Sequence, residues 1–169
     1  MRELIFITFS LLLWGRVCAQ HRPPWDNYYG SYMIETRQKL QQYLNHYHYD
    51  GVFSQTDSTI ELTTNYSLAP WTIYSTFYFD KLGKCYAYTN RRCDSGGAIN
   101  LQRTLDNKFY KWKKIATNKY ISKFSDGELL EIIESGTCTV YRRTELHLSK
   151  REYKQLINTK YRDPASRKR

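Results

Sequence analysis

From Thr59 onward, apolar and polar residues alternate in short runs: Thr59 to Thr64, Thr72 to Phe79, Lys84 to Tyr88, Ala98 to Arg103 and Phe109 to Ile115. A period of two is the mark of a half-buried strand. Turn-forming clusters at Asn65 to Pro70, Asp80 to Gly83, Asn90 to Gly97 and Leu105 to Asn107 separate the runs. Tyr120, Ile121 and Phe124 then read as a strand, Ser125-Asp126-Gly127 as a tight hairpin turn, and Leu129 to Ile133 as the returning strand. A second turn at Ser135-Gly136 leads into Thr137 to Tyr141. Earlier in the chain, Met33, Ile34, Leu40, Tyr43 and Leu44 predict a helix over Ser31 to Leu44, capped by Ser31 or Thr36. The following NHYHYDGVF alternates aromatic and polar residues and contains Asp50-Gly51, again a hairpin signal. Beyond Thr144, Ser149 and Glu152 form a capping box for a terminal helix bearing Tyr153, Leu156, Ile157 and Tyr161. The expected fold is mainly β: a closed antiparallel barrel with a short N-terminal helix and a C-terminal helix. A parallel α/β sheet is excluded.

Residues 1–19 carry an early Arg2, an apolar Leu4 to Trp14 segment and small residues around Val17-Cys18-Ala19, the three parts of a secretory signal peptide. No later run approaches the roughly 20 apolar residues of a membrane span. The sequence thus predicts a secreted, extracellular protein with an N-terminal arm over 20–30, one β-rich domain over 31–162 and a basic tail over 163–169. Export places Cys85, Cys93 and Cys138 in an oxidising compartment. Cys85 and Cys93 flank a span that a hairpin would close and are the favoured pair; Cys138 with either one is the competitor. Asn65-Tyr66-Ser67 is an N-glycosylation acceptor read as lying in a loop. Sixteen tyrosines suit half-buried strands, where the ring packs and the hydroxyl stays wet.

The net charge of +10 is unevenly spread: residues 106–169 hold 16 Lys and Arg against 8 Asp and Glu. Lys111, Lys113, Lys114, Lys119, Lys123, Arg142 and Arg143, together with Arg167, Lys168 and Arg169 of the tail, form a candidate polyanion-binding set. Outside cells, where nucleic acid is scarce, the fitting polyanion is heparan sulfate or another sulfated glycan, and nucleic acid is not the expected partner. The plainer alternative is the solvated face of an ordinary sheet.

Catalytic chemistry finds no support. His46 and His48 stand two apart in a strand-like segment, but no Asp, Glu or Cys at ligand spacing joins them, and they read as surface histidines. No nucleophile elbow, zinc-protease motif or phosphate-binding glycine loop is present. The expectation is a non-enzyme with no cofactor and no metal.

Aromatic-flanked glycines recur at Gly51, Gly83 and Gly127, which suggests the three lobes of a β-trefoil. INLQ at Ile99 to Gln102, NKYISKFSDGELL, and Cys138-x-Val140-x-Arg142-Arg143 at the place of a Cys-x-Phe-x-Glu-Arg motif resemble a fibroblast growth factor. That resemblance implies a secreted signalling ligand that binds heparan sulfate and a cell-surface receptor through the cations above. The order of helix, strands and helix also looks like a lipocalin, which implies a carrier of a small hydrophobic or amine ligand with Trp71, Tyr78, Tyr88 and Trp112 pointing inward.

Overall fold

The computed structural model describes residues 27–66, 69–123, 127–158 and 161. Residues 1–19, read above as a signal peptide, Phe124-Ser125-Asp126 and the tail cations Arg167, Lys168 and Arg169 lie outside them. Helix α1 spans Met33–Tyr47 and is followed by β1 (Asp50–Gln55), β2 (Thr59–Tyr66), β3 (Ala69–Phe79) and β4 (Cys85–Arg92). Helix α2 (Gly96–Asp106) is followed by β5 (Lys113–Ala116), β6 (Lys119–Ile121), β7 (Glu128–Ser135) and β8 (Thr139–Glu145), and helix α3 (Lys150–Asn158) comes last. The chain thus repeats one unit, a helix and then a four-stranded antiparallel meander. The two meanders join where β4 pairs antiparallel with β8, giving one eight-stranded sheet in the order β1-β2-β3-β4-β8-β7-β6-β5.

This order corrects the expected closed barrel. β1 and β5 are the two edges of an open sheet, so neither a β-trefoil nor a lipocalin-like barrel is formed. The cause lies in residues 96–106. Ala98 to Arg103 alternates well enough for a strand, but GGAINLQRTLD folds as a helix that buries Leu101 and is started by Asp94. The Asp94 carboxylate accepts the Gly96 N–H at 2.6 Å, satisfying one of the donors that a helix start leaves open. The helix carries the chain off the sheet, so the second meander begins at a far edge and only its last strand returns to β4. INLQ of the growth-factor resemblance lies inside this helix.

Of the three glycines read as lobe markers, Gly83 and Gly127 have left-handed φ of 73° and 78°, but Gly51 does not. Gly51 sits in β1, and a Cβ there would lie 2.3 Å from Leu44 Cδ1. Its smallness lets α1 approach the sheet, and Asp50-Gly51 is no hairpin. The β1–β2 turn is at Thr56 to Ser58, where Thr56 Oγ1 accepts the Ser58 and Thr59 N–H groups at 3.3 and 3.1 Å. Helix α1 runs three residues past Leu44 and opens at Tyr32, whose N–H is accepted by the Glu35 carboxylate at 3.1 Å; Thr36 is buried within it. The expected capping box of α3 is present: Glu152 accepts the Ser149 N–H at 2.8 Å, and Ser149 Oγ accepts the Glu152 N–H at 3.3 Å.

The core lies between α1 and the first meander, where Leu40 and Leu44 pack among Ile60, Leu62, Phe77, Phe79 and Tyr88. The disulfide joins Cys93 to Cys138, correcting the Cys85–Cys93 pairing. Cys85 opens β4 and Cys93 follows its end, so extended backbone holds them about 25 Å apart; a disulfide needs Cα atoms within about 7 Å. Cys93 and Cys138 instead lie just beyond the register pair Arg92 and Thr139. Cys85 remains a buried free thiol, and burial pushes its pKa from the ordinary 9.0 up to about 12. Its contribution to stability is complete below pH 9.0 and is lost as pH rises toward 12, because the unfolded chain ionises first. We expect native protein lacking residues 1–19 to resist iodoacetamide at pH 8, with one thiol per chain, that of Cys85, reacting after denaturation in urea. Mass spectrometry of both samples checks this.

Candidate functional site

Strand alternation builds the floor of a cavity on the face that carries α1 and α2. Leu62 and Thr64 from β2, Ile73, Ser75 and Phe77 from β3, Tyr88, Asn90 and Arg92 from β4, and Thr139, Tyr141 and Arg143 from β8 all line it. Leu40 and Tyr43 of α1 form one wall, and Asn100, Arg103 and Thr104 of α2 the other. The volume of this partly open cavity is about 400 Å³, within the range of small-molecule sites.

Two polar arrangements cross the floor. In the first, Ser75 Oγ donates to Asn90 Oδ1 at 2.7 Å and Asn90 Nδ2 donates to the Tyr141 hydroxyl oxygen at 3.1 Å. These residues are register partners on β3, β4 and β8, so the sheet itself aligns them. Because its oxygen accepts from Asn90, Tyr141 keeps its O–H proton for another partner.

The second arrangement holds a buried charge. Arg143 is only 5% exposed, and its Nε lies 2.5 Å from Glu128 Oε1, which also accepts the Tyr29 hydroxyl at 2.8 Å. The Arg143 guanidinium carbon stands 4.4 Å from the Tyr110 ring centre, 5.2 Å from Tyr88 and 5.7 Å from Trp112. Burial alone would lower its pKa, but Tyr88 and Glu128 outweigh that and hold it well above the ordinary range. Its Nη2 is buried and has no hydrogen-bond partner among the described residues. Glu128 and burial also shape Tyr29, whose phenol is raised well above 10.0, first by burial and then by the Glu128 charge.

The structure distributes the candidate polyanion-binding cations over different surfaces. Arg143 faces the cavity, whereas Arg142, its neighbour on β8, lies on the opposite face over Tyr78 and Tyr86, at 4.8 and 6.0 Å. Lys113 Nζ donates to the Ile157 carbonyl of α3, and Lys114 stands 5.1 Å from the Tyr161 ring centre. Lys119 pairs with Glu131 at 2.8 Å. Lys111 (φ 47°) and Lys123 are exposed in connecting segments. Asn65 lies in strand β2 rather than a loop, its Oδ1 accepting the Thr72 hydroxyl at 2.8 Å. His46 is in the last turn of α1 and His48 is its left-handed cap, which corrects the strand-like reading of both. Among the described residues no three His, Cys, Asp or Glu side chains come together to hold a metal, and no helix is long and apolar enough to cross a membrane.

Reading the chain alone missed the Ser75–Asn90–Tyr141 row and placed Arg143 with the surface cations. Tyr88 lies on the cavity floor, Tyr78 on the opposite face, Trp112 stacks on Tyr110, and Trp71 stacks on Tyr66 beneath Arg92. Comparison with protein-family models, curated proteins and solved structures finds no match.

Proposed function

We propose that this is an exported binding protein that takes a small amphipathic molecule into the cavity between α1, α2 and the central strands. The observation that carries the reading is the cavity itself: about 400 Å³, apolar along Leu40, Leu62, Ile73 and Phe77, and polar along Asn90, Tyr141 and Arg143. Apolar walls with a few fixed polar groups are what a small-molecule site needs. Export is supported by the leader pattern of residues 1–19 and by a disulfide compatible with an extracellular setting. Heparan-sulfate binding draws less support, because a polyanion needs its cations on one surface and these stand on several.

Anilinonaphthalene sulfonate should bind with one-to-one stoichiometry and gain fluorescence. Ser75→Phe, which places a ring in the cavity floor, should abolish that binding while unfolding remains cooperative. Absence of saturable binding by the unaltered protein, or binding that Ser75→Phe leaves intact, would sink the proposal.

A further inference from the structure

We infer that the ligand is an organic anion, held by its carboxylate between Arg143 and Tyr141; this rests on the cavity being a small-molecule site. Arg143 is the primary warrant. A guanidinium offers five N–H donors in a planar fork, and here the Nε edge is committed to Glu128 while Nη2 is buried without an acceptor and the side chain lines the cavity. A buried donor in that state favours an acceptor that brings its own charge.

Tyr141 supplies the second donor. It stands two residues before Arg143 on β8, so both side chains leave the same face of the strand. Asn90 occupies the Tyr141 oxygen, which turns the hydroxyl into a donor toward the cavity. Thus two donors leave the same face of one strand and line the same cavity, and a carboxylate has two oxygens to accept from them.

Charge argues in the same direction. None of the lining residues, among those described, is Asp or Glu, so an amine would find no counter-ion there. Arg143 is offset by Glu128 and Arg92 by Asp94, at 2.5 and 2.7 Å. Arg103, exposed on the α2 wall, therefore gives the site its net positive charge and would draw an anion in. The apolar body of the ligand would lie against Leu62, Phe77 and Leu40.

The test compares 2-naphthoate with 2-naphthamide, nearly identical in shape and different in charge, by isothermal titration against the full chain. We expect naphthoate to bind about 10–100-fold more tightly, as a charge-assisted pair requires. In Arg143→Gln/Glu128→Gln, which removes the ion pair as a unit, the two affinities should converge. Equal affinities in the unaltered protein would overturn the anion assignment and leave the cavity reading standing, with anilinonaphthalene sulfonate still bound. If neither naphthalene compound binds, the anion assignment falls, and the sulfonate probe shows whether the cavity reading falls with it. A preference unchanged in the double variant would overturn the role of Arg143. Should circular dichroism show that variant unfolded, Tyr141→Phe decides: about five- to tenfold weaker naphthoate binding supports the site, and unchanged binding overturns it.

Discussion

Glu128→Ala is expected to lower the unfolding free energy by about 3–5 kcal/mol, the range for removing one partner of a buried ion pair. Glu128 is 2% exposed and holds both Arg143 Nε and the Tyr29 hydroxyl on one oxygen. Without it, the Arg143 charge remains inside, surrounded by Tyr88, Tyr110 and Trp112, whose ring faces attract a cation but cannot accept a directed N–H bond as a carboxylate does. The Tyr29 hydroxyl loses its acceptor as well. Lys119→Ala provides the contrast. Its pair with Glu131 is also within hydrogen-bond distance, at 2.8 Å, but 46% and 37% of the two side chains are exposed. Water screens such a pair, and its loss should change stability by less than about 1 kcal/mol. Urea unfolding of the three proteins side by side checks both values. Equal effects from Glu128→Ala and Lys119→Ala would show that Arg143 is not dependent on its buried partner.

Reducing the Cys93–Cys138 disulfide is expected to lower stability by about 2–4 kcal/mol, from the unfolded-chain entropy of a loop of this length. The bond closes a separation of 45 residues that contains α2, β5, β6 and β7. Every other strand pairing in the sheet joins consecutive strands, whereas β4 and β8 meet across the whole second unit. The disulfide sits at the end of that pairing, beside Arg92 and Thr139, where an opening seam would begin to separate. Because α2 also forms one wall of the cavity, the reduced protein should bind anilinonaphthalene sulfonate more weakly. Scanning calorimetry and titration of oxidised and reduced samples measure the two effects. An unchanged transition on reduction would mean that β4·β8 pairing and the packing of α2 hold the seam unaided.

How much of this was legible in the chain depended on how local the cause was. β2 and β3 were readable because their apolar and polar positions alternate, and β7 because Leu129, Leu130, Ile132 and Ile133 form a short apolar run between two turns at Gly127 and Gly136. The Asp80 to Gly83 turn was readable because Asp80 Oδ1 accepts the Leu82 and Lys84 N–H groups at 2.8 and 2.9 Å, an interaction contained within five residues. The Ser149 and Glu152 cap was readable for the same reason. Residues 96–106 were not, since AINLQR satisfies both a period of two and a helical face, and Asp94 at its head was counted as a turn residue. Gly51 misled in another way. A glycine needed for close approach by Leu44 and a glycine needed for a left-handed turn are the same letter.

A β-rich chain flanked by helices, the position of most strands, the α3 cap and the excess of cations in residues 106–169 follow from neighbouring residues, because propensity, alternation and charge are local properties. Long-range packing settles that the sheet stays open, that β8 returns to β4, that Cys93 takes Cys138, and that Arg142 and Arg143 face opposite ways with only the second lining the cavity. Each of these depends on which strand lies beside which. That choice followed from α2 leaving the sheet and the second meander starting at a far edge. An arginine's letter does not say which face of a strand it occupies; register does, and register here is set by residues as far apart as Tyr88 and Arg143.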